Sequence, residues 1–306
     1  MALIGSHMSA PIVLIIFNRP QLTQLVFEQI CMQKPEVLYV ISDGPRLNVS
    51  SDDSAVFDSR SVTQNITWTC DVRRIYSAAN LGCRNRVVSG LNQVFTEVPN
   101  AIVLEDDCIP HQDFFRFANE LLNLYESQEQ VFSIGGNMWE FPDQEGEESY
   151  FASKYFSCWG WATWADRWNK VDHDFESWKQ VDSVHILERA TDTPMEFIYW
   201  KRFYDMTFTG EIGAEHAWDL VTQWSMWRDQ QLSLRPNTNL VQNLGLGHSD
   251  ATHTKTMSPA ISGRKPSPLA WPLKHPEHLE RDAKKDLRTD ELRFGGHLRR
   301  SLNRRA

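Results

Sequence analysis

Short unbroken apolar runs, separated by polar stretches, mark the first half of the chain. Residues 12–17, IVLIIF, are continuous and β-branched, and residues 37–42, VLYVIS, repeat the pattern. A run without alternation has no polar face, so it reads as a strand covered on both sides. VRRIY at 72–76 is a poorer third candidate, and AIVL at 101–104 and VFSIGG at 131–136 add two more. Between these runs the spacing becomes helical: roughly 20–32, then 80–95 with apolar positions 87, 88, 91, 94 and 95, then 112–126. Residues 45–62 are polar and read as a loop with a short helix. Strands alternating with helices predict an α/β fold with a mostly parallel central sheet and helices on both faces.

In such sheets ligands bind beyond the carboxyl ends of the strands. Three polar strand ends fall there together: Asn18-Arg19, Ser42-Asp43-Gly44 and Glu105-Asp106-Asp107. The third is the most demanding. Three adjacent carboxylates repel one another and are costly to desolvate unless something positive sits among them. A solvated acidic turn and a divalent cation are the two readings.

The second half differs in character. YFSCWGWATWADRW, residues 155–168, holds four of the chain's 12 Trp. Residues 194–208 and 215–229 have helical spacing and are again aromatic, and 232–242 returns a strand or two to the sheet. No linker separates the halves, which predicts one domain with two lobes, 9–150 and 151–257. Residues 258–306 read as a Pro-rich wrapping segment and a basic tail. From 281 onward the tail carries nine Lys or Arg and four Asp or Glu, either a solvated helix or an anchor for an anionic membrane or partner. MALIGSHM, residues 1–8, reads as an expression-vector remnant.

With a net charge of −9, the chain lacks the basic footprint of a general nucleic-acid binder. Its 5 cysteines (31, 70, 83, 108, 158) are odd in number and widely spaced, with no CxxC pair. They read as reduced thiols of a cytoplasmic protein. No apolar run is long enough to span a bilayer.

Seven segments, IVLIIFNRP, VISDGP, NLGCRNRV, VLEDDCIP, CWGWATW, AWDLVTQW and GLGHSDATHT, come in an order that resembles nucleotide-sugar-dependent glycosyltransferases of the GT-A fold. The likeness is strongest to bacterial family 2-like enzymes, and the acidic triplet resembles the EDD of N-acetylglucosaminyltransferases. It covers residues 10–255. It implies a Rossmann-like nucleotide-sugar lobe, an aromatic-rich acceptor lobe, a nucleotide-sugar donor, a glycan acceptor and a Mn²⁺ or Mg²⁺ cofactor. A cation there neutralises the leaving diphosphate. By resemblance Asp107 is the direct ligand, with Asp106 beside it or near the ribose, and Glu105 near ribose or sugar. His248 completes the metal site, with His253 as the fallback. Asp43 would meet the base, while Asn18, Arg19, Asn80 and Arg84 would meet base or diphosphate. Trp159, Gly160 and Trp161 would floor the sugar pocket.

An inverting transfer also needs a general base. Asp219, an acid among aromatics in AWDLVTQW, is the first candidate, and Glu215, one helical turn away, the second. The expected activity is transfer of a hexose or N-acetylhexosamine, a UDP-sugar favoured, in bacterial polysaccharide or glycoconjugate synthesis. The setting is cytoplasmic or the inner face of the membrane. The alternatives are a metal-dependent phosphohydrolase and a non-catalytic sugar- or nucleotide-binding protein of the same fold.

Overall fold

IVLII has no solvent-facing position because it becomes an inner strand: all five residues of β1 (Ile12–Ile16) are buried. The computed structural model describes residues 9–138, 140, 147–180, 182–211, 218–245 and 264–293. In it β1 lies between β2 (Val37–Ser42) and β4 (Asn100–Glu105), parallel to both. β3 (Asp71–Tyr76) adds a parallel edge. That position explains its polar sequence, since an edge strand keeps solvent on one side. Helix α1 (Pro20–Gln33) starts with Pro at its first turn and ends at Lys34 in the left-handed region. α2 (Asp52–Val62) is the short helix of the polar stretch, and α3 (Cys83–Val94) follows Gly82, whose φ is +80°. After β4 comes a turn, then β5 (Cys108–Pro110) and α4 (Gln112–Leu124). His111 caps α4 by accepting from the Asp113 amide.

Beyond β4 the sheet continues with β8 (Trp161–Trp164), β6 (Val131–Gly135), β9 (Leu232–Pro236) and β7 (Tyr150–Ser153). The full order is β3-β2-β1-β4-β8-β6-β9-β7, with β8 and β7 antiparallel to their neighbours. The mostly parallel α/β sheet is therefore as the pattern predicts. β10 (Val241–Asn243) does not return to it but pairs antiparallel with β5.

The pleat sorts the core. Ile12, Leu14 and Ile16 face α1 and α4, while Val13 and Ile15 pack on the opposite side with Val87, Leu91 and Val94 of α3. α5 (Ala165–Trp168) and α6 (Ser183–Ala190) lead to α7 (Pro194–Thr209) and α8 (Trp218–Arg228). Tyr155, Trp178, Trp200, Tyr204, Trp224 and Trp227 make a separate aromatic core among them. Residues 264–282 form no helix or strand and strap across α4. Leu269 and Leu273 enter the core, and Asp113 accepts from the Leu269 amide and the Trp271 indole. α9 (Ala283–Arg293) closes the described chain.

Candidate active site at the end of the fourth strand

Register fixes where the acids fall. Ile15 pairs with Glu105, so Asp106 and Asp107 lie level with the end of β1. There the chain turns into β5, and β10 comes back over it: the Leu244 amide donates to the Asp107 carbonyl at 2.8 Å. A Cβ on Gly245 would lie 2.0 Å from Asp107 Oδ2, so a larger residue there would push the Asp107 carboxylate aside. The Asn243 amide nitrogen and the Cys108 thiol both reach Asp107 Oδ1, at 3.5 and 3.4 Å.

The positive group among the acids is Arg19. Its Nη1 lies 2.7 Å from Asp107 Oδ2 and 3.6 Å from Asp106 Oδ1. One guanidinium does not neutralise three carboxylates. Burial, then Asp107, push Asp106 up to about 7, against Arg19 and the Phe17 amide, which donates to Asp106 Oδ2. Glu105 is held well above the usual carboxylate range by burial, then Asp107, Asp106 and Asp219. Burial opposes the charge on Arg19, but the three acids together raise its pKa.

These groups line a cavity of about 320 Å³. Asp43, Asn80 and Gly82 border it on one side, Trp159, Asn243 and Gly245 on another, and Trp218 and Asp219 from the first turn of α8. Of the sequence-predicted residues, Arg19, Asp43, Asn80, Glu105, Asp106, Asp107, Trp159 and Asp219 meet here. Asp43 is more engaged than expected. Its carboxylate accepts from the Gly44, Leu81 and Gly82 amides and from Asn80 Nδ2, and so shapes the approach to α3.

Four predicted residues do not line the cavity. Trp161 is fully buried. The pleat of β8 sends it onto Phe156, Trp168 and Trp218, so the WATW part of CWGWATW is a central strand while Cys158 and Trp159 before it reach the cavity. Gly160, at φ +67°, lets Val241 pack close: a Cβ there would lie 2.7 Å from it. Arg84 turns away and donates to the His173 carbonyl. Asn18 bonds Asp52 at 2.9 Å, behind the wall. Glu215, His248 and His253 lie outside the described residues.

Sequence reasoning missed Arg86, which also lines the cavity. It is 7% exposed, and among the described residues its Nε has no hydrogen-bond partner. Burial, partly offset by Asp43, lowers its pKa. The signal was present: Arg86 shares the buried stripe of α3 with Val87, Gly90, Leu91 and Val94, a place where an unpaired charge is costly. Arg46 was missed as well. It stacks 5.4 Å from the Phe17 ring and holds the buried Asp52, whose pKa its hydrogen bond lowers to about 2.

The oxygen donors of Asp106 and Asp107 suit a hard cation such as Mn²⁺ or Mg²⁺. Among the described residues, no group of three or more His, Cys, Asp or Glu forms a metal cage. A cation here would therefore take few protein oxygens and complete its shell from ligand and water. Also among the described residues, no helix is long and apolar enough to cross a membrane.

No protein-family model matches the chain, and no curated protein matches it. Solved structures give faint likenesses. Mouse xyloside xylosyltransferase 1 in its apo form is 11% identical, with a TM-score of 0.36, over 67% of this chain and 82% of that one. UDP-glucose pyrophosphorylase complexed with UDP-glucose is 12% identical, TM-score 0.32, over 52% and 77%. HddC from Yersinia pseudotuberculosis is 10% identical, TM-score 0.32, over 51% and 77%. Likenesses this faint carry no argument about function, which rests on the cavity.

Proposed function

We propose that the chain is an inverting, metal-dependent glycosyltransferase of the GT-A type. It moves a hexose or N-acetylhexosamine from a nucleotide diphosphate sugar, a UDP-sugar in first place, to a hydroxyl of a glycan acceptor. The observation that supports this reading is the convergence of the strand-end carboxylates, Arg19, Arg86 and Asp219 on one cavity. An acidic strand end, buried cations and an opposed carboxylate are what a diphosphate leaving group and a proton-losing acceptor require.

In this reading Asp107, with Asp106, holds a divalent cation, which supplies charge neutralisation for the departing diphosphate. Asp219 takes the proton of the acceptor hydroxyl. The acceptor oxygen bonds the anomeric carbon as the bond from that carbon to the phosphate oxygen breaks, and the diphosphate leaves with the electron pair. Arg86 donates to an acceptor oxygen of the donor, which gives its buried Nε a partner. Trp159 and Trp218 give the sugar apolar faces to lie against.

The test is a melting-temperature panel with UDP, GDP, dTDP and CMP and their sugars, each with and without Mn²⁺. Ligands that bind the native state raise the midpoint by mass action. The expected result is a shift for one nucleotide class that needs Mn²⁺ and is lost in Asp107→Asn. No shift with any of them removes the nucleotide-sugar reading. Phosphate release from the sugar nucleotide without acceptor would favour the phosphohydrolase instead. With a donor in hand, Asp219→Asn is expected to lower turnover by roughly 10²–10⁴-fold, and full turnover would remove Asp219 from the mechanism.

A further inference from the structure

We propose that Arg19 is a resident counterion on Asp107. It and a divalent cation hold that carboxylate in turn, so the free protein takes up its cation together with the nucleotide diphosphate rather than before it. The inference rests on the cation reading above and adds an order of binding to it.

The geometry around Asp107 leaves little choice. Oδ2 has Arg19 Nη1 at 2.7 Å. Gly245 crowds the same oxygen: a Cβ there would lie 2.0 Å away. Oδ1 is faced by the Cys108 thiol at 3.4 Å and Asn243 Nδ2 at 3.5 Å. Arg19 is therefore the group that has to yield Oδ2 to a cation. A guanidinium and a divalent ion on one carboxylate oxygen would also be like charges a few ångströms apart, in a site shielded from water.

Arg19 is built to let go without disturbing the fold. Its backbone is anchored: the carbonyl accepts from the Thr23 amide and hydroxyl, both at 2.9 Å, and Pro20 begins α1. Its side chain is 21% exposed and lines the cavity. Among the described residues its guanidinium pairs only with Asp106 and Asp107. Leaving them strands a buried cation unless a new anion arrives. A diphosphate in the same cavity is such an anion, since guanidinium groups pair with phosphate oxygens in a two-pronged geometry. The diphosphate also brings the oxygen ligands that this site lacks for holding a cation alone. Cation and diphosphate therefore bind with strong positive coupling, through Arg19.

The experiment titrates MnCl₂ into the full chain, reading free Mn²⁺ by electron paramagnetic resonance, with and without UDP or GDP. In the wild type, Mn²⁺ alone is expected to bind weakly, and the nucleotide to tighten it tenfold or more. Arg19→Met is expected to bind Mn²⁺ alone at least tenfold tighter than wild type, and to lose most of the coupling. Arg19→Lys should restore part of it. If Arg19→Met binds Mn²⁺ alone no tighter than wild type while the nucleotide still tightens both, the exchange is wrong and the cation site stands. If neither protein holds Mn²⁺ with or without nucleotide, the cation reading falls and the exchange with it. Should Arg19→Met show no cooperative melting, Arg19→Gln, which keeps a hydrogen bond to Asp107 without the charge, decides by the same criterion.

Discussion

Among the described residues, two buried clusters of carboxylates are built for different ends. Glu105, Asp106 and Asp107 meet Arg19 at the mouth of a cavity. Asp192, Glu196, Asp286 and Asp290 gather between β7, α7 and α9 around Lys154 and Arg281. There Lys154 Nζ is 2.6 Å from Glu196 and 2.8 Å from Asp192. The Tyr155 hydroxyl and the Asp192 amide donate to Glu196, and the Ser153 hydroxyl and Lys154 amide donate to Asp286. Both clusters contain a carboxyl group pushed up by burial: Asp106 to about 7 and Asp290 to about 6. A raised pKa therefore does not separate a site from a strut. What separates them is where the unmet demand points. In the second cluster two cations, hydroxyls and amides engage Asp192, Glu196 and Asp286, and the oxygen left over, Asp290 Oδ1, is buried without a partner among the described residues rather than turned to a cavity. In the first the demand faces open volume.

The largest expected effect breaks the strut. Lys154→Met leaves Glu196, 1% exposed in its side chain, without its cation. Removing one partner of a buried pair costs about 3–5 kcal/mol, which urea denaturation would read as a lower midpoint. The folded fraction should keep its nucleotide-dependent melting shift. A lost shift with unchanged stability would reverse the assignment of the two clusters. The mirror experiment is Asp107→Asn, expected to abolish the Mn²⁺-dependent shift while lowering stability less than Lys154→Met does, since Arg19 keeps Asp106 at 3.6 Å.

How much of this was legible in the chain divides along the same line. β1, β2 and β4 were visible because strands buried on both faces show as unbroken apolar runs, and the helices because their apolar faces repeat. The acidic triplet was visible because three consecutive carboxylates after such a run need an explanation. Trp161 misled, while Trp159 reaches the cavity as expected. In β8 the motif WATW is too short and too rich in Trp to read as a strand, and its large aromatics look like a binding surface. Only the pairing of Val103 with Trp161 and of Ile134 with Ala162 reveals a central strand. Arg86 was hidden for a related reason. A charge on an apolar stripe shows in the sequence, but whether it is paired depends on Asp43, whose oxygens are already committed to the Gly44, Leu81 and Gly82 amides. Long-range pairing decides such matters, and local pattern does not encode it.

A smaller effect comes from relieving the open cluster. The folded-state pKa of Asp106 is raised, so the native protein binds more protons than the unfolded chain between pH 4 and 7. The stability from this group is full below about pH 4 and is lost as pH rises through 7. Asp106→Asn keeps an oxygen for the Phe17 amide and removes the charge. It should raise stability at pH 8 by roughly 2–4 kcal/mol and flatten the slope between pH 4 and 7. Thermal melts across that range, without ligand, check both. A stability loss at pH 8 would mean that Asp106 is held ionised by its neighbours and belongs with the paired acids.

The smallest expected effect has the opposite slope and tests the residue that turned away from the cavity. His173 packs 4.6 Å from the Trp168 ring, and its buried Nε2 has no partner among the described residues. Burial, then Arg84, depress its pKa to about 4. A depressed histidine contributes stability that is present above its unfolded value near 6.5 and is lost as pH falls through 4. His173→Phe keeps a ring against Trp168 and removes the titration, so the mutant should lose less stability than wild type between pH 6.5 and 4. Arg84→Ala should soften the same slope, because the guanidinium's field on His173 disappears. It should leave the nucleotide-dependent melting shift unchanged, since Arg84 serves the seam between α3 and the aromatic half. A lost nucleotide shift in Arg84→Ala would bring that side chain back to the cavity and place the donor's reach beyond the residues that line it.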